Sequence, residues 1–329
     1  MAEKWRSARL GFAAAFLTLL ALVPVIAGLA GQPYYVTLVS RMMIFGLAAV
    51  GLNFILGFGG LVSFGHALYV GIGAYAVGIL TFHGVTSGFA HLAAGLAVGA
   101  VLALLIGLVC LRTSGMAFIM ITLAFAQMFY FLAVSLRQYG GDDGLTISSR
   151  SNFGAFDLDN ASVLYYLSFG LLALALYVFH RAVNSRFGVV LRGCKSNERR
   201  MITAGFPTLR YKLVAYVVSA LICVIAGMLL ANLTRYASPA YMHWIVSGDL
   251  IVMILFGGMT TLLGPVVGSA AIVTIEELLT GFRVGLPWGI DALVRAHWMA
   301  LLGVLIVVVV LTLKQGLYGW LVAREGRPR

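Results

Sequence analysis

Residues 181–212 read RAVNSRFGVVLRGCKSNERRMITAGFPTLRYK, with eight Lys/Arg and a single acid, Glu198. This polar island stands between two apolar runs, in a chain of which only 10% is charged. Outward from it the sequence is mostly hydrocarbon: 61% of the 329 residues are hydrophobic and the mean hydropathy is +1.01. A soluble domain is about half apolar and about a quarter charged. The composition therefore specifies an all-α, polytopic integral membrane helical bundle, read as a single transmembrane domain over residues 1–329. The net charge of +11 does not point to nucleic acid. The basic residues cluster in short segments flanking apolar runs, which is how membrane proteins encode topology. Cys110, Cys194 and Cys223 match no metal, redox or disulfide spacing and read as small apolar fillers.

Crossing the hydrocarbon core takes about 20 apolar residues. Ten segments qualify: 10–30, 35–56, 61–82, 89–111, 115–136, 162–180, 211–233, 246–263, 265–281 and 297–313. The first follows Lys4, Arg6 and Arg9, as a signal peptide would, but its apolar run exceeds a cleavable core and reads as a span. With the N-terminus inside, the cytoplasmic segments hold Lys4, Arg6, Arg9, Arg112, the island, Lys314, Arg324, Arg327 and Arg329, sixteen Lys/Arg in all. The external loops hold five: Arg137, Arg150, Arg235, Arg283 and Arg295, with Arg41 left inside the second span. That bias places both termini and the 181–212 loop in the cytoplasm. Trp5 and Trp320 then belong to the inner aromatic belt, and Trp244, Trp288 and Trp298 to the outer one. Small residues recur every fourth position at Gly95, Gly99, Ala103 and Gly107, and at Ser219, Cys223, Gly227 and Ala231. These are stripes for close helix packing.

The stretch from Asn53 to Tyr75, NFILGFGGLVSFGHALYVGIGAY, is broken by glycines, most densely near 57–66. Each glycine disfavours helix by about 1 kcal/mol. Irregular backbone at membrane depth survives only where protein or a water-filled cavity satisfies it, and broken helices line substrate sites in many transporters. One reading makes Asn53, Gly59, Gly60, Ser63 and His66 part of a substrate path. The other makes Gly57–Gly60 a cytoplasmic turn, with Ser63 capping the next helix. In the fifth span, Thr122 and Gln127 are polar groups expected to face the bundle interior. Thr122 can bond its own backbone; Gln127 needs a partner and is assigned to the same path. Gly140-Gly141-Asp142-Asp143-Gly144 has turn chemistry, and a docking contact for an external partner is the lesser reading. Asp249, Glu276 and Glu277 lie at or inside spans eight and nine; the Glu pair is near an outer end and can reach water, whereas a proton relay calls for a deeper carboxylate.

No G-x-x-x-x-G-K-[ST] phosphate loop, H-E-x-x-H or G-x-S-x-G occurs in the sequence. No residue is assigned a catalytic role, and no metal site is expected. The basic island can also attract anionic membrane lipid.

LNFILGFGGLVSFGHALYVGIGAYAVGIL (52–80), MAFIMITLAFAQMFYFLA (116–133), GGDDGL (140–145), SRFGVVLRGCKSNERRMITAGFPTLRYKLVAYVVSA (185–220) and ILFGGMTTLLGPVVGSA (254–270) occur in this order. Together they resemble the permease subunits of branched-chain amino acid ABC importers, most closely the M-type subunit. The resemblance implies a bacterial inner-membrane protein that pairs with a second, related permease. Two cytoplasmic ATPases, which use the ATP and Mg that this chain does not bind, and a periplasmic substrate-binding protein complete the machine. It also implies that 185–205 is the ATPase-coupling segment, with Arg186, Gly188, Arg192, Asn197, Glu198 and Gly205 at the matching positions. Arg199 and Arg200 depart from the small or apolar residues usual there. Related permeases carry urea, short amides or aromatic acids, which are the alternative substrates. A stand-alone secondary transporter is the remaining rival.

Overall fold

The apolar runs fold as helices, and so does the polar island. A computed structural model describes residues 2–29, 31–154, 158–259, 261–281, 297–312 and 316–318. Among them are eleven α-helices: α1 (Ala2–Leu29), α2 (Tyr34–Asn53), α3 (His66–Phe82), α4 (Gly88–Cys110), α5 (Met116–Ser135), α6 (Ala161–Val183), α7 (Arg186–Thr203), α8 (Thr208–Thr234), α9 (Trp244–Gly257), α10 (Gly264–Thr280) and α11 (Trp298–Thr312). All but α7 correspond to the expected spans. Five segments are long and apolar enough to cross a membrane by length and composition: Tyr34–Phe58, α4, α5, α6 and α8. The chain is an all-α, multi-pass membrane bundle. Trp288, Trp320, Arg283, Arg295, Lys314, Arg324, Arg327 and Arg329, which entered the sidedness argument, lie outside the described residues.

α8 is the axis of the bundle and packs on α2, α3 and α4. Both expected stripes work there. The α4 stripe faces α8: a Cβ at Gly99 would press on the Val224 side chain, and one at Gly107 on Leu213. On the other side of α8, Ser219 Oγ and Cys223 Sγ reach the carbonyls of Gly51 and Ala48 in α2. Closest of all is α3, where a Cβ at Gly227 would overlap the Val70 carbonyl and one at Gly73 the Val224 carbonyl. All three cysteines are buried, as fillers should be.

Three boundaries depart from the expected spans, each for a local reason. α3 begins at His66 rather than 61, because the backbone before it is not helical. The eighth span ends at Gly257, and α10 restarts at Gly264 with Pro265 in its first turn, where a missing N–H costs nothing. The chain before α9 also does not stay at the bundle's end. Leaving α8 it forms β2 (Tyr236–Ala237), which pairs antiparallel with β1 (Leu145–Thr146). A short 3-10 turn, Pro239–Met242, then dips inward, and Met242 packs so tightly on Gly71 of α3 that a Cβ there would overlap it. α9 thus starts deep in the bundle, its Trp244 ring 6.3 Å from that of Phe64. Trp244 is therefore not an outer-belt residue as expected. Nearer the bundle's end, Gly140–Gly144 forms the expected turns, with Asp142 and Asp143 exposed and Tyr236 donating its hydroxyl to the Asp143 carbonyl.

The α3–α8 contact makes a matched test. Gly227→Ala forces two backbones apart and should destabilise the purified protein by about 1–3 kcal/mol. Gly170→Ala in α6, where nothing lies within 4 Å, should not. Thermal unfolding in detergent reads both, and an unchanged Gly227→Ala midpoint would refute the close approach.

Candidate functional site

The glycine-rich break runs from a π-helical turn, Phe54–Phe58, through non-helical residues 59–65 to the start of α3. Its amides are met partly by backbone carbonyls and partly by side chains. Gly60 and Leu61 bond back to the carbonyls of Leu56 and Ile55. The Phe64 N–H is accepted by Thr122 Oγ1 of α5 at 3.3 Å, and the Gly65 N–H by Ser63 Oγ at 3.2 Å. The Ala67 N–H, one of the orphan donors of a helix start, is accepted by Ser247 Oγ of α9 at 2.8 Å. Asn53 Nδ2 donates 2.9 Å to the Thr261 carbonyl in the α9–α10 link.

His66 closes this arrangement. Its Nδ1 lies 2.9 Å from Ser63 Oγ and its Nε2 3.0 Å from Ser219 Oγ. Ser219 uses its only proton on the Gly51 carbonyl, at 2.6 Å, so it must accept from His66 Nε2–H, and Nδ1 must accept from Ser63. The result is a one-way chain from the Gly65 amide through Ser63, His66 and Ser219 to α2, every group satisfied and no carboxylate involved. Tyr69 and Tyr216 stand edge-on to the imidazole, with Tyr69 donating its hydroxyl to Tyr216 at 3.1 Å. Asn53, Ser63, His66 and Thr122 are all buried, at 1%, 0%, 0% and 0% exposure. Within this chain they set the shape of the break rather than opening onto a cavity. Both readings of Thr122 are realised, since its hydroxyl also donates to the Ile119 carbonyl.

Gln127 is different. It is half-buried, and its amide lies 3.4 Å from His243 Nε2. His243 Nδ1 accepts the Ile245 N–H as the cap of α9; it is the Gln127 NH2 that faces His243 Nε2, and the Gln127 carbonyl oxygen is buried without a partner among the described residues. Gln127, His243, Tyr130, Trp244 and Phe64 thus form a polar and aromatic face beside the break. The sequence reading assigned none of His243, Trp244, Ser247 and Phe64 to this face: the first three lie at the start of α9, and Phe64 lies within the break itself. Arg41, unassigned from sequence, pairs with Glu276 at 3.6 Å, and Tyr34 donates to Glu277.

At the other end of the break lies α7. Its face toward the bundle carries Gly188, Val190, Leu191 and Cys194, all buried. A Cβ at Gly188 would overlap the Val183 carbonyl at the end of α6, and Arg192 Nη2 donates 3.2 Å to that same carbonyl. At Asn197 the backbone is extended and splits α7 in two; the Asn197 oxygen accepts the Arg200 N–H at 3.0 Å, capping the second half. Glu198 pairs with the buried Lys212 at 2.6 Å, tying that half to the start of α8. Gly205, at φ +87, ends α7: its N–H bonds to Ile202 and that of Phe206 to Met201, the paired closure that a left-handed residue makes possible. Lys195, which the sequence did not single out, reaches the break itself. Its Nζ donates 2.7 Å to the Gly57 carbonyl, and its stem lies where a Cβ at Gly60, at φ +71, would be only 2.8 Å away. The expectation of six coupling positions thus resolves into two that seat α7 on α6, two that split and anchor its second half, one that ends it, and the exposed Arg186. Among the described residues no group of His, Cys, Asp or Glu is placed to hold a metal ion.

The break's dependence on Thr122 is testable. Thr122→Val keeps the shape and strands the buried Phe64 N–H, at a cost of about 1–3 kcal/mol; Thr122→Ser keeps the acceptor. The Val variant should lose thermal stability and the Ser variant retain most of it. Equal behaviour of the two would show that the Phe64 contact contributes nothing.

The profile of the family described as branched-chain amino acid transport system / permease component matches residues 34–310. The chain is 24% identical over 307 residues to the high-affinity branched-chain amino acid transport system permease protein LivM of Salmonella typhimurium, covering 86% of this chain and 69% of that protein. LivM of Escherichia coli K12 gives the same figures. The permease protein LivH of the same organism is 24% identical over 257 residues, 72% of this chain and 82% of LivH. No solved structure matches. With the break, the deep start of α9 and α7 all inside the matched range, this chain belongs to the family of branched-chain amino acid transport system permease components.

Proposed function

We propose that this chain is one of two related membrane subunits of an ATP-driven importer for branched-chain or other hydrophobic amino acids. Similarity to both LivM and LivH over overlapping residues supports a pair of like permeases. The bundle lies in the bacterial inner membrane with both termini and α7 in the cytoplasm, a sidedness that the distribution of basic residues supports. This chain performs no covalent chemistry. ATP and Mg are used by two partner ATPases beneath it, and a periplasmic binding protein delivers the amino acid to the opposite end, where Asp142 and Asp143 are exposed.

The observation that carries this reading is the Lys195–Gly57 contact. α7 shows the surface a soluble partner needs: Val189, Ile202 and Phe206 are exposed there, at 59%, 55% and 40%, among Arg186, Arg192, Arg199 and Arg200. Apolar groups so placed are characteristic of a docking face. Motion of a partner against α7 then reaches the break directly, because Lys195 holds the carbonyl of its π-helical turn. The break (Asn53, Gly59, Gly60, Ser63, His66) with Thr122 and Gln127 forms one wall of the pathway, the buried members shaping it and Gln127 facing it.

Purification from native membranes in mild detergent should bring a second permease and two ATPases with the tagged chain. In the reconstituted complex, Lys195→Met keeps the stem and removes the bond to Gly57. A charge-assisted bond of this kind is worth about 1.5–3 kcal/mol, so leucine uptake should fall about tenfold or more while ATP hydrolysis persists. Gly205→Pro, impossible at φ +87, should abolish coupled uptake. A chain that purifies alone and transports under an ion gradient would overturn the proposal; uptake of urea, short amides or aromatic acids instead of leucine would reassign the substrate.

A further inference from the structure

The exposed sides of the bundle are apolar almost everywhere. α4 presents Val98, Val101, Leu105 and Val109 outward, and α6 Leu174 and Val178, as lipid-facing helices do. The side formed by α2, α9 and α10 is the exception, carrying Arg41, Asp249, Glu276 and Glu277. Arg41 is paired with Glu276, and Glu277 accepts from Tyr34. Asp249 is exposed and has no hydrogen bond or ion pair among the described residues; the charge that acts on it is another acid, Glu276. From the sequence alone it lay at or inside the eighth span, at a depth the sequence left open. α9 begins beside Gln127, near the middle of α5, and Asp249 lies five residues further along it, about 7.5 Å at 1.5 Å per residue. At that level Gly248, its neighbour in α9, stands next to the Phe64 ring, with 3.8 Å from its would-be Cβ to Cε1. An unpaired carboxylate at that depth does not face lipid.

We propose that Asp249 faces the translocation pathway and accepts the ammonium group of the amino acid as it passes the break. The inference rests on the importer reading above and adds to it the group that recognises the substrate's charged end. Three features support it. The four charged groups of this side sum to a surplus of acid, so the missing partner is a cation. Asp249 directly follows Gly248, which stands next to the Phe64 ring of the break, so the cation is one that travels there. Phe64 and Trp244, with rings 6.3 Å apart, give this part of the break an apolar surface, which suits a ligand with one charged amine and a hydrocarbon side chain. Asp249 binds and orients; no bond is made or broken.

Two readouts test this, and one does not depend on ATP. Because Cys110, Cys194 and Cys223 are buried, Asp249→Cys in native membranes gives a single accessible thiol. It should react with the aqueous cationic reagent MTSET, and leucine supplied with the binding protein should slow that reaction. No reaction, or reaction only with a lipophilic maleimide, would place Asp249 against a partner subunit or lipid and overturn the inference. In proteoliposomes holding the complete importer, Asp249→Asn should reduce leucine uptake about tenfold or more, as expected for loss of a charge-assisted bond. Asp249→Glu should keep most of the activity, and both variants should retain their partner subunits. Wild-type uptake matched by Asp249→Asn would sink this inference and leave the importer standing. Absence of ATP-driven uptake in the wild type would sink the importer reading, while the labelling result would still decide whether Asp249 faces an aqueous path.

Discussion

A backbone that is not helical deep in a membrane bundle must find hydrogen-bond partners among the side chains around it, and this protein is arranged around meeting that demand. Residues 59–65 run without helix, and hydroxyls from α5 and α9, a lysine from α7 and the Ser63–His66–Ser219 chain supply what the backbone lacks. Other features of the fold follow. α3 begins partway through the bundle because its first turn is completed by Ser247. α9 has to begin at that same depth for Ser247 to be there. The preceding chain must therefore turn inward, which brings His243, Trp244 and Asp249 beside the break.

The polar residues at this depth divide by whether their partners are inside the chain. Ser63, His66, Ser219 and Thr122 are fully buried and mutually satisfied, and a network of that kind rigidifies the segment it holds. The Gln127 amide oxygen and Asp249 are not so matched. In a protein whose remaining outer surface is hydrocarbon, unmatched groups at depth mark where something polar passes or docks. The distinction separates residues that shape the break from residues that meet what moves along it.

α7 is joined to that break by few but direct contacts. Its buried face packs under the bundle, its second half is held by the Glu198–Lys212 pair, and Lys195 grips the carbonyl of Gly57. Burial also pushes the Cys194 thiol above its ordinary range, so the residue beside Lys195 behaves as an inert packing group. A rigid helix that touches both the surface and the irregular segment can move one with the other. The split at Asn197 separates the first half, seated on α6 and carrying Lys195, from the second half, held by the Glu198–Lys212 pair.

The sequence by itself determined the membrane class, the order of the apolar helices, the small-residue stripes, the existence of a break and the helix-ending role of Gly205. Each of these is local: hydropathy over a helix length, a four-residue spacing, the backbone freedom of one glycine. The tertiary structure alone decided which polar groups complete the break, that Lys195 reaches Gly57, that Trp244 sits deep rather than at an interface, and that Asp249 stands at the level of Phe64. Those facts join residues more than a hundred positions apart, as Lys195 does with Gly57. They depend on where α9 starts along the bundle axis, and hydropathy is blind to that because a helix beginning at mid-depth is as apolar as one beginning at the surface.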